Sequence, residues 1–208
     1  MKKTFVLVVL FILPIVAYLF FASGVNNFGK LPILTQNISD VSQFNANVTF
    51  QDKITIVGFL GSDVELKKGN AFNLNQKIYK RFFEFKDFQF VMIVPHGAEA
   101  KVEALKSELG NLTDTQKWNF VFASEDQIKH FFSGLKTDLV LDKNLGTSYV
   151  FIVDKDKNLR GRTDDEEEGT KYGYNTAIVA ELNNKMEDDV KIILAEYRLA
   201  LKKNNADR

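Results

Sequence analysis

Cysteine is missing altogether from this chain of 208 residues. Its absence excludes disulfides, thiol nucleophiles, cysteine-ligated zinc and iron–sulfur clusters, and it removes the usual sequence guide to redox compartment. Net charge is missing too, because 27 basic and 27 acidic residues cancel. No overall field then draws the chain to DNA or RNA, and no nucleic-acid partner is expected. Histidine is nearly missing. His96 and His130 are the only two, and nothing in their 34-residue separation places them together as metal ligands. What remains, 45% apolar and 26% charged residues, describes one ordinary globular domain with a small appendage.

The appendage is the N-terminus, "MKKTFVLVVLFILPIVAYLFFASG". Lys2 and Lys3 precede an uncharged run from Phe5 to Ala22, which as a helix would extend about 27 Å, close to the roughly 30 Å hydrocarbon core of a bilayer. Two lysines in front orient such a segment with its short N-terminus in the cytoplasm and the rest of the chain outside. Ala22-Ser23-Gly24 offers small residues for signal-peptide cleavage instead. The run is longer than the usual secretory apolar core, so an uncleaved, single-pass anchor in the cell (inner) membrane is the first expectation and a secreted or periplasmic protein the second. No cysteine follows, so a lipid-modified anchor is excluded. This gives a membrane segment over 1–24, a tether over 25–30 and a folded domain over 31–208.

Within the domain, "ITIVGFL" (54–60), "FQFVMIV" (88–94), "NFVFA" (119–123) and "SYVFIVD" (148–154) are continuous apolar runs, as expected of strands buried on both faces. Helical patterns lie between them: Phe72, Ile78, Phe82 and Phe83; Val102, Leu105 and Leu109; Ile128, Phe131, Phe132 and Leu135. The last opens with Ser124 and Gln127 at capping-box spacing. After "SYVFIVDKDKNLRGR", which reads as a β-hairpin, an apolar stripe from Ile178 through Leu182, Met186, Val190, Ile193, Tyr197 and Leu201 predicts one long closing helix. Alternating strands and helices imply β-α-β crossovers in an α/β fold with a central mixed sheet.

"ITIVGFLGSDVELKKG" resembles the SCO/SenC branch of the thioredoxin-like superfamily, in which the first core strand ends in a turn followed by a C-x-x-x-C pair. The resemblance implies a three-layer thioredoxin-like fold, and it aligns Val64 and Lys68 with the two cysteine positions and Gly146 with the third metal ligand, a histidine. All three copper ligands of the family are thus replaced, so neither copper nor any other cofactor is expected. The segment from Arg160 to Val190 also resembles cysteine-free membrane or secreted proteins of Bacteroidetes, a match that supplies no activity.

Other candidates carry ordinary readings. "DKDKNLRGRTDD" imitates a calcium loop, but Leu159 stands where the sixth-position glycine is needed, and a hairpin turn is the simpler reading. The acidic run from Asp164 to Glu168 reads as a solvated loop. His96, beyond a strand end and without an acidic neighbour in sequence, reads as a loop residue, and His130 as a helix-surface residue. Two functions follow. The first is a non-catalytic, membrane-tethered domain that binds a protein partner in the periplasm, an assembly factor as the resemblance implies for respiratory oxidases. The alternative is a secreted enzyme or metal carrier using non-thiol groups, which would need Asp63, His96 and a further carboxylate in one pocket.

Overall fold

The computed structural model describes residues 10–16 and 29–206, with side chains described as far as residue 199. The predicted membrane segment, Phe5 to Ala22, lies outside the described residues except for 10–16, which are helical. No helix of the described residues is long and apolar enough to cross a membrane.

The apolar runs form the middle of a sheet. Strand β2 (Ile54–Leu60) and strand β3 (Phe88–Pro95) are buried at every position, because side chains leave a strand alternately to its two faces and both faces are covered. Ile54, Ile56, Phe90, Met92 and Ile152 belong to one core, with the helices that follow β2 and end the chain. Val57, Phe59, Val91, Ile93 and Phe151 belong to a second core on the opposite face, closed by Ile38, Phe50 and Phe131. The order across the sheet is β1-β6-β5-β2-β3-β4, where β1 is Ile33–Thr35, β4 Trp118–Ala123, β5 Gly146–Val153 and β6 Leu159–Arg160. Strands β2, β3 and β4 are mutually parallel, β5 runs antiparallel to β2, and β6 antiparallel to β5. This is the expected mixed sheet, with β5 and β6 as the expected hairpin. Asp154 closes its turn by accepting from the backbone N–H groups of Asp156 (3.0 Å) and Asn158 (2.8 Å).

The crossover helices also follow the sequence. Helix α1 (Val64–Leu74) continues through a π-helical turn at Asn75–Tyr79 into α2 (Lys80–Phe82). The π-turn sits where Asn75, fully buried, accepts from Trp118 Nε1 (3.3 Å) and donates to Thr113 Oγ1 (3.4 Å). Helix α3 (Glu99–Gly110) buries Val102, Leu105 and Leu109. Helix α4 (Glu125–Gly134) begins with the capping box formed by Ser124 and Gln127.

Two expectations need correction. The long closing helix runs without a break from Val179 to Ala206, but as α5 (Val179–Glu181), a π-turn (Leu182–Met186) and α6 (Glu187–Ala206), and Ile178, expected on its buried stripe, is an exposed cap residue instead. The buried stripe is Leu182, Met186, Val190 and Ile193. The acidic run is not simply solvated. It belongs to a small hairpin of β7 (Arg162–Asp165) and β8 (Gly169–Lys171), followed by β9 (Tyr174–Asn175), which pairs with β5. Asp165 is buried and accepts from Lys185 (2.9 Å) and from the backbone N–H groups of Glu167 (3.1 Å) and Glu168 (3.2 Å).

Strand β4 is one edge of the sheet. Lys117, just before it, and Ala123, at its end, offer their carbonyls to the N–H groups of Phe90 and His96 on the β3 side, so Phe120 and Phe122, out of phase by one residue, turn their backbone groups outward.

Candidate functional site

The loop after β2 is set by glycines. Gly58 is bare because an added Cβ would lie 2.7 Å from Met92 Sδ. Gly61 turns the chain at φ +72°, and a Cβ there would stand 2.6 Å from the Asn144 carbonyl. Only glycine suits both the left-handed backbone and the close approach. Ser62 N–H then donates to the same Asn144 carbonyl (2.8 Å), which fastens the β2–α1 loop to the loop that enters β5.

That second loop is organised by Asp142, whose Oδ1 accepts from Asn144 N–H and Gly146 N–H, both at 2.9 Å. Burial pushes the Asp142 carboxyl up, but these bonds and Lys67, 3.3 Å away, outweigh it and hold the group below the ordinary carboxylate value. The turn leaves Leu145 at φ +63°. Gly146 is buried, and a Cβ there would lie 3.0 Å from the Leu60 carbonyl. A side chain at 146 would have to push β2 and β5 apart.

The three positions singled out by resemblance therefore have definite surroundings. Val64 is buried in the helix-side core. Lys68, one turn further along α1, places its ammonium 2.5 Å from Glu108 Oε1 and 3.7 Å from Glu65, and the bond to Glu108 raises its pKa. Gly146 offers no side chain. An isopropyl group, an ammonium already paired to carboxylates and a bare backbone are not a donor set for copper, which favours thiolate, thioether and imidazole. The residues present do not fit that metal.

Beside this loop, at the C-terminal ends of β2, β3 and β4, lies a cleft of about 320 Å³ lined by Ser62, His96, Ser124, Glu125, Lys143 and Asn144 among others. Open α/β sheets generally bind ligands at this end. His96 sits over the Phe122 ring, with ring centroids 6.5 Å apart, and its Nδ1 is 3.7 Å from Glu99 Oε1, beyond hydrogen-bonding distance. The helix start lowers the Glu99 pKa through its backbone N–H groups. Asp63 is directed elsewhere: it lies 3.9 Å from Lys101, whose ammonium also donates to the Ser62 carbonyl (3.1 Å). Asp63 and His96 are thus not brought into one pocket. His130 is exposed on α4. Among the described residues, no three histidine or acidic side chains are grouped closely enough to hold a metal ion.

Sequence reasoning missed Glu125, Lys143 and Asn144 in this cleft. The signals were present in the Asp-x-Asn-x-Gly turn chemistry of 142–146 and in Gly61 directly after a buried strand. It also missed a buried polar centre under the β7–β8 hairpin. There Arg162 forks onto Asp189 (2.7 and 3.0 Å), Tyr174 donates to Asp189 (2.5 Å), and Lys171, wholly buried, pairs with Glu181 (2.7 Å) and Glu168. Every buried side-chain nitrogen or oxygen among the described residues has a partner, as a buried polar network requires.

The order β6-β5-β2-β3-β4, with two crossovers joining parallel β2, β3 and β4 and the β5–β6 hairpin antiparallel to β2, decides the architecture. The fold is thioredoxin-like. No family model and no curated protein matches the sequence. Its structural neighbours are thioredoxin-like proteins, among them Sco family members and thiol-disulfide oxidoreductases. The soluble domain of Sco1 from Bacillus subtilis is 16% identical, with a TM-score of 0.47 over 80% of this chain and 97% of its own. The thioredoxin domain of a thiol-disulfide oxidoreductase from Bacteroides vulgatus is 16% identical, at 0.43 over 77% and 94%. BsSco, a member of the Sco family of cytochrome c oxidase assembly proteins, is 13% identical, at 0.45 over 74% and 95%. These are likenesses of fold; the strand order, not the scores, carries the assignment.

Proposed function

We propose that this chain is a non-catalytic thioredoxin-like domain, held at the outer face of the cell (inner) membrane by its N-terminal segment, that binds a protein partner through the cleft beside the β2–α1 loop. The observation that carries this reading is the chemistry of the loop itself. Thioredoxin-like catalysis and soft-metal carriage both use thiolates, and here the equivalent positions are a packed valine, a lysine tied to Glu108 and a glycine pressed against Leu60. The scaffold around them is nonetheless kept rigid by Gly61, Ser62, Asn144 and Asp142. A preformed polar cleft without a thiol is suited to recognition. By analogy with the Sco neighbours, the partner is an assembly client of the periplasmic side, such as a respiratory oxidase component.

The test is photo-crosslinking of the full-length chain in native membranes. A crosslinkable residue at Lys143, on the cleft, should give a discrete protein adduct, and one at His130, on the exposed side of α4, should not. Equal labelling from both positions, or none from Lys143, would overturn the reading.

A further inference from the structure

The opposite end of the sheet carries a second cleft of about 280 Å³, between the segment that leads into β3 and residues 194–198 of α6. Phe85, Leu194 and Tyr197 give it apolar walls, and Lys86, Lys155 and Arg198 line its rim. Phe85 is 45% exposed although it is a large aromatic. We propose that this cleft docks the domain on an anionic phospholipid surface. The inference rests on the membrane-anchored reading above and adds which face meets the bilayer and what it recognises there.

Charge is the first argument. Lys53, 3.8 Å from Asp87, and Lys117, whose ammonium donates to the Phe85 carbonyl (2.6 Å), extend the basic rim to five cations. The carboxylates at this end are Asp87, paired to Lys155, Asp52 and Glu84, the neighbours of Lys53 and Phe85 in the chain, Asp114 on the Lys117 side, and Asp156, which accepts from the Tyr197 hydroxyl (3.3 Å). The cleft's own lining holds three cations, Lys86, Lys155 and Arg198, against one carboxylate, Asp87. Burial, joined by Lys53, pushes the Lys117 pKa down against the pull of Asp87 and Asp114. An apolar cleft with aromatic walls and a cationic rim matches the boundary between acyl chains and phosphate headgroups, where aromatic residues and lysines concentrate.

Chain connectivity is the second argument. The Leu31 carbonyl accepts from Arg160 Nε (2.7 Å), and the same guanidinium bonds Glu196 (2.6 Å), the residue before Tyr197. The chain therefore enters the fold beside the wall of this cleft. Only residues 23–30 separate Leu31 from the apolar run, and eight residues fully extended reach at most about 28 Å. An anchor at Phe5–Ala22 keeps the α6 end of the domain close to the lipid and leaves the partner cleft at the far end of the sheet.

The missing cysteines make the test clean. A Glu84→Cys variant of the full-length chain, labelled with an environment-sensitive dye, reports on the lipid cleft, and a His96→Cys variant reports on the other end. Each is mixed with vesicles of phosphatidylcholine alone and of three parts phosphatidylcholine to one part phosphatidylglycerol. The dye at 84 should shift to the blue on the phosphatidylglycerol vesicles only, and the shift should disappear as salt is raised to about 1 M, where the screening length is about 3 Å. An added Arg198→Glu change should weaken the phosphatidylglycerol dependence at least about fivefold, the effect of a single surface cation near an anionic leaflet. Equal emission on the two vesicles, an equal response at 96, or a response to acidic peptide but not to lipid would overturn the proposal. Flotation with the phosphatidylcholine vesicles, which the docking face does not recognise, separately reads the anchor. Flotation with a silent dye sinks the docking face and spares the anchor; a lipid-dependent dye without flotation does the reverse.

Discussion

At the scale of residues, position matters more than chemistry in the β2–α1 loop. Ser62→Ala and Asp63→Ala should each change stability by no more than about 0.5 kcal/mol, because both side chains are solvent-facing and the loop is held through backbone groups. Phe59→Ala, at 1% exposure in the second core, should cost about 3–5 kcal/mol. Urea midpoints of the three variants check this, and loss of partner crosslinking in Asp63→Ala at an unchanged midpoint would make Asp63 part of the recognition surface. Lys171→Met should be as damaging as the core deletion, about 3–5 kcal/mol, since it strands the Glu181 carboxylate, only 11% exposed, while Glu168 stays in water. Adding Glu181→Gln should recover part of that loss. None of this second effect was legible beforehand. A lysine after a run of five acidic residues looks like surface charge, and only the fold of β7 onto α6 turns Lys171, Arg162 and Asp165 inward.

Elements were read more faithfully than their side-chain roles. The apolar runs that became β2, β3, β4 and β5 announced themselves by composition, and Ser124 with Gln127 announced the start of α4. The π-turns at Asn75–Tyr79 and Leu182–Met186 left no such mark, because one extra residue in a helical turn shifts the apolar phase by less than the width of a buried stripe. Two-residue strands such as β9 are shorter than any period. Aspartates in the loops and at the end of β7 carry the pH response. Asp40, Asp142 and Asp165 are all pushed up by burial, yet backbone N–H groups, Thr49, Lys67 and Lys185 outweigh that and hold them below the ordinary value; Asp87 is lowered chiefly by Lys155. A carboxyl lowered in the folded state stabilises the fold above its unfolded pKa, and that contribution is lost as pH falls through the folded value. The urea midpoint should therefore fall steeply once pH drops below about 4, near the unfolded aspartate value. Lys185→Met, which removes a partner of Asp165, should make that acid limb shallower and leave the midpoint lower at neutral pH.

For the whole molecule, the three-layer arrangement was legible because a parallel sheet covered on both faces must be built from uninterrupted apolar strands with crossovers between them. The candidate clefts were not, since each is lined by residues far apart in sequence: Ser62, His96 and Lys143 at one end, Phe85, Lys155 and Arg198 at the other. Strand β4 has a consequence for handling the protein. Trp118–Ala123 ends the sheet with the sequence WNFVFA, carrying neither the proline nor the lysine that usually guards such a border. A purified sample with no net charge to keep molecules apart should slowly build oligomers by strand addition, beginning at Phe120 and Phe122. Phe122→Lys should delay the rise in light scattering on storage and lower thioflavin fluorescence, and unchanged kinetics would place the seed of aggregation elsewhere.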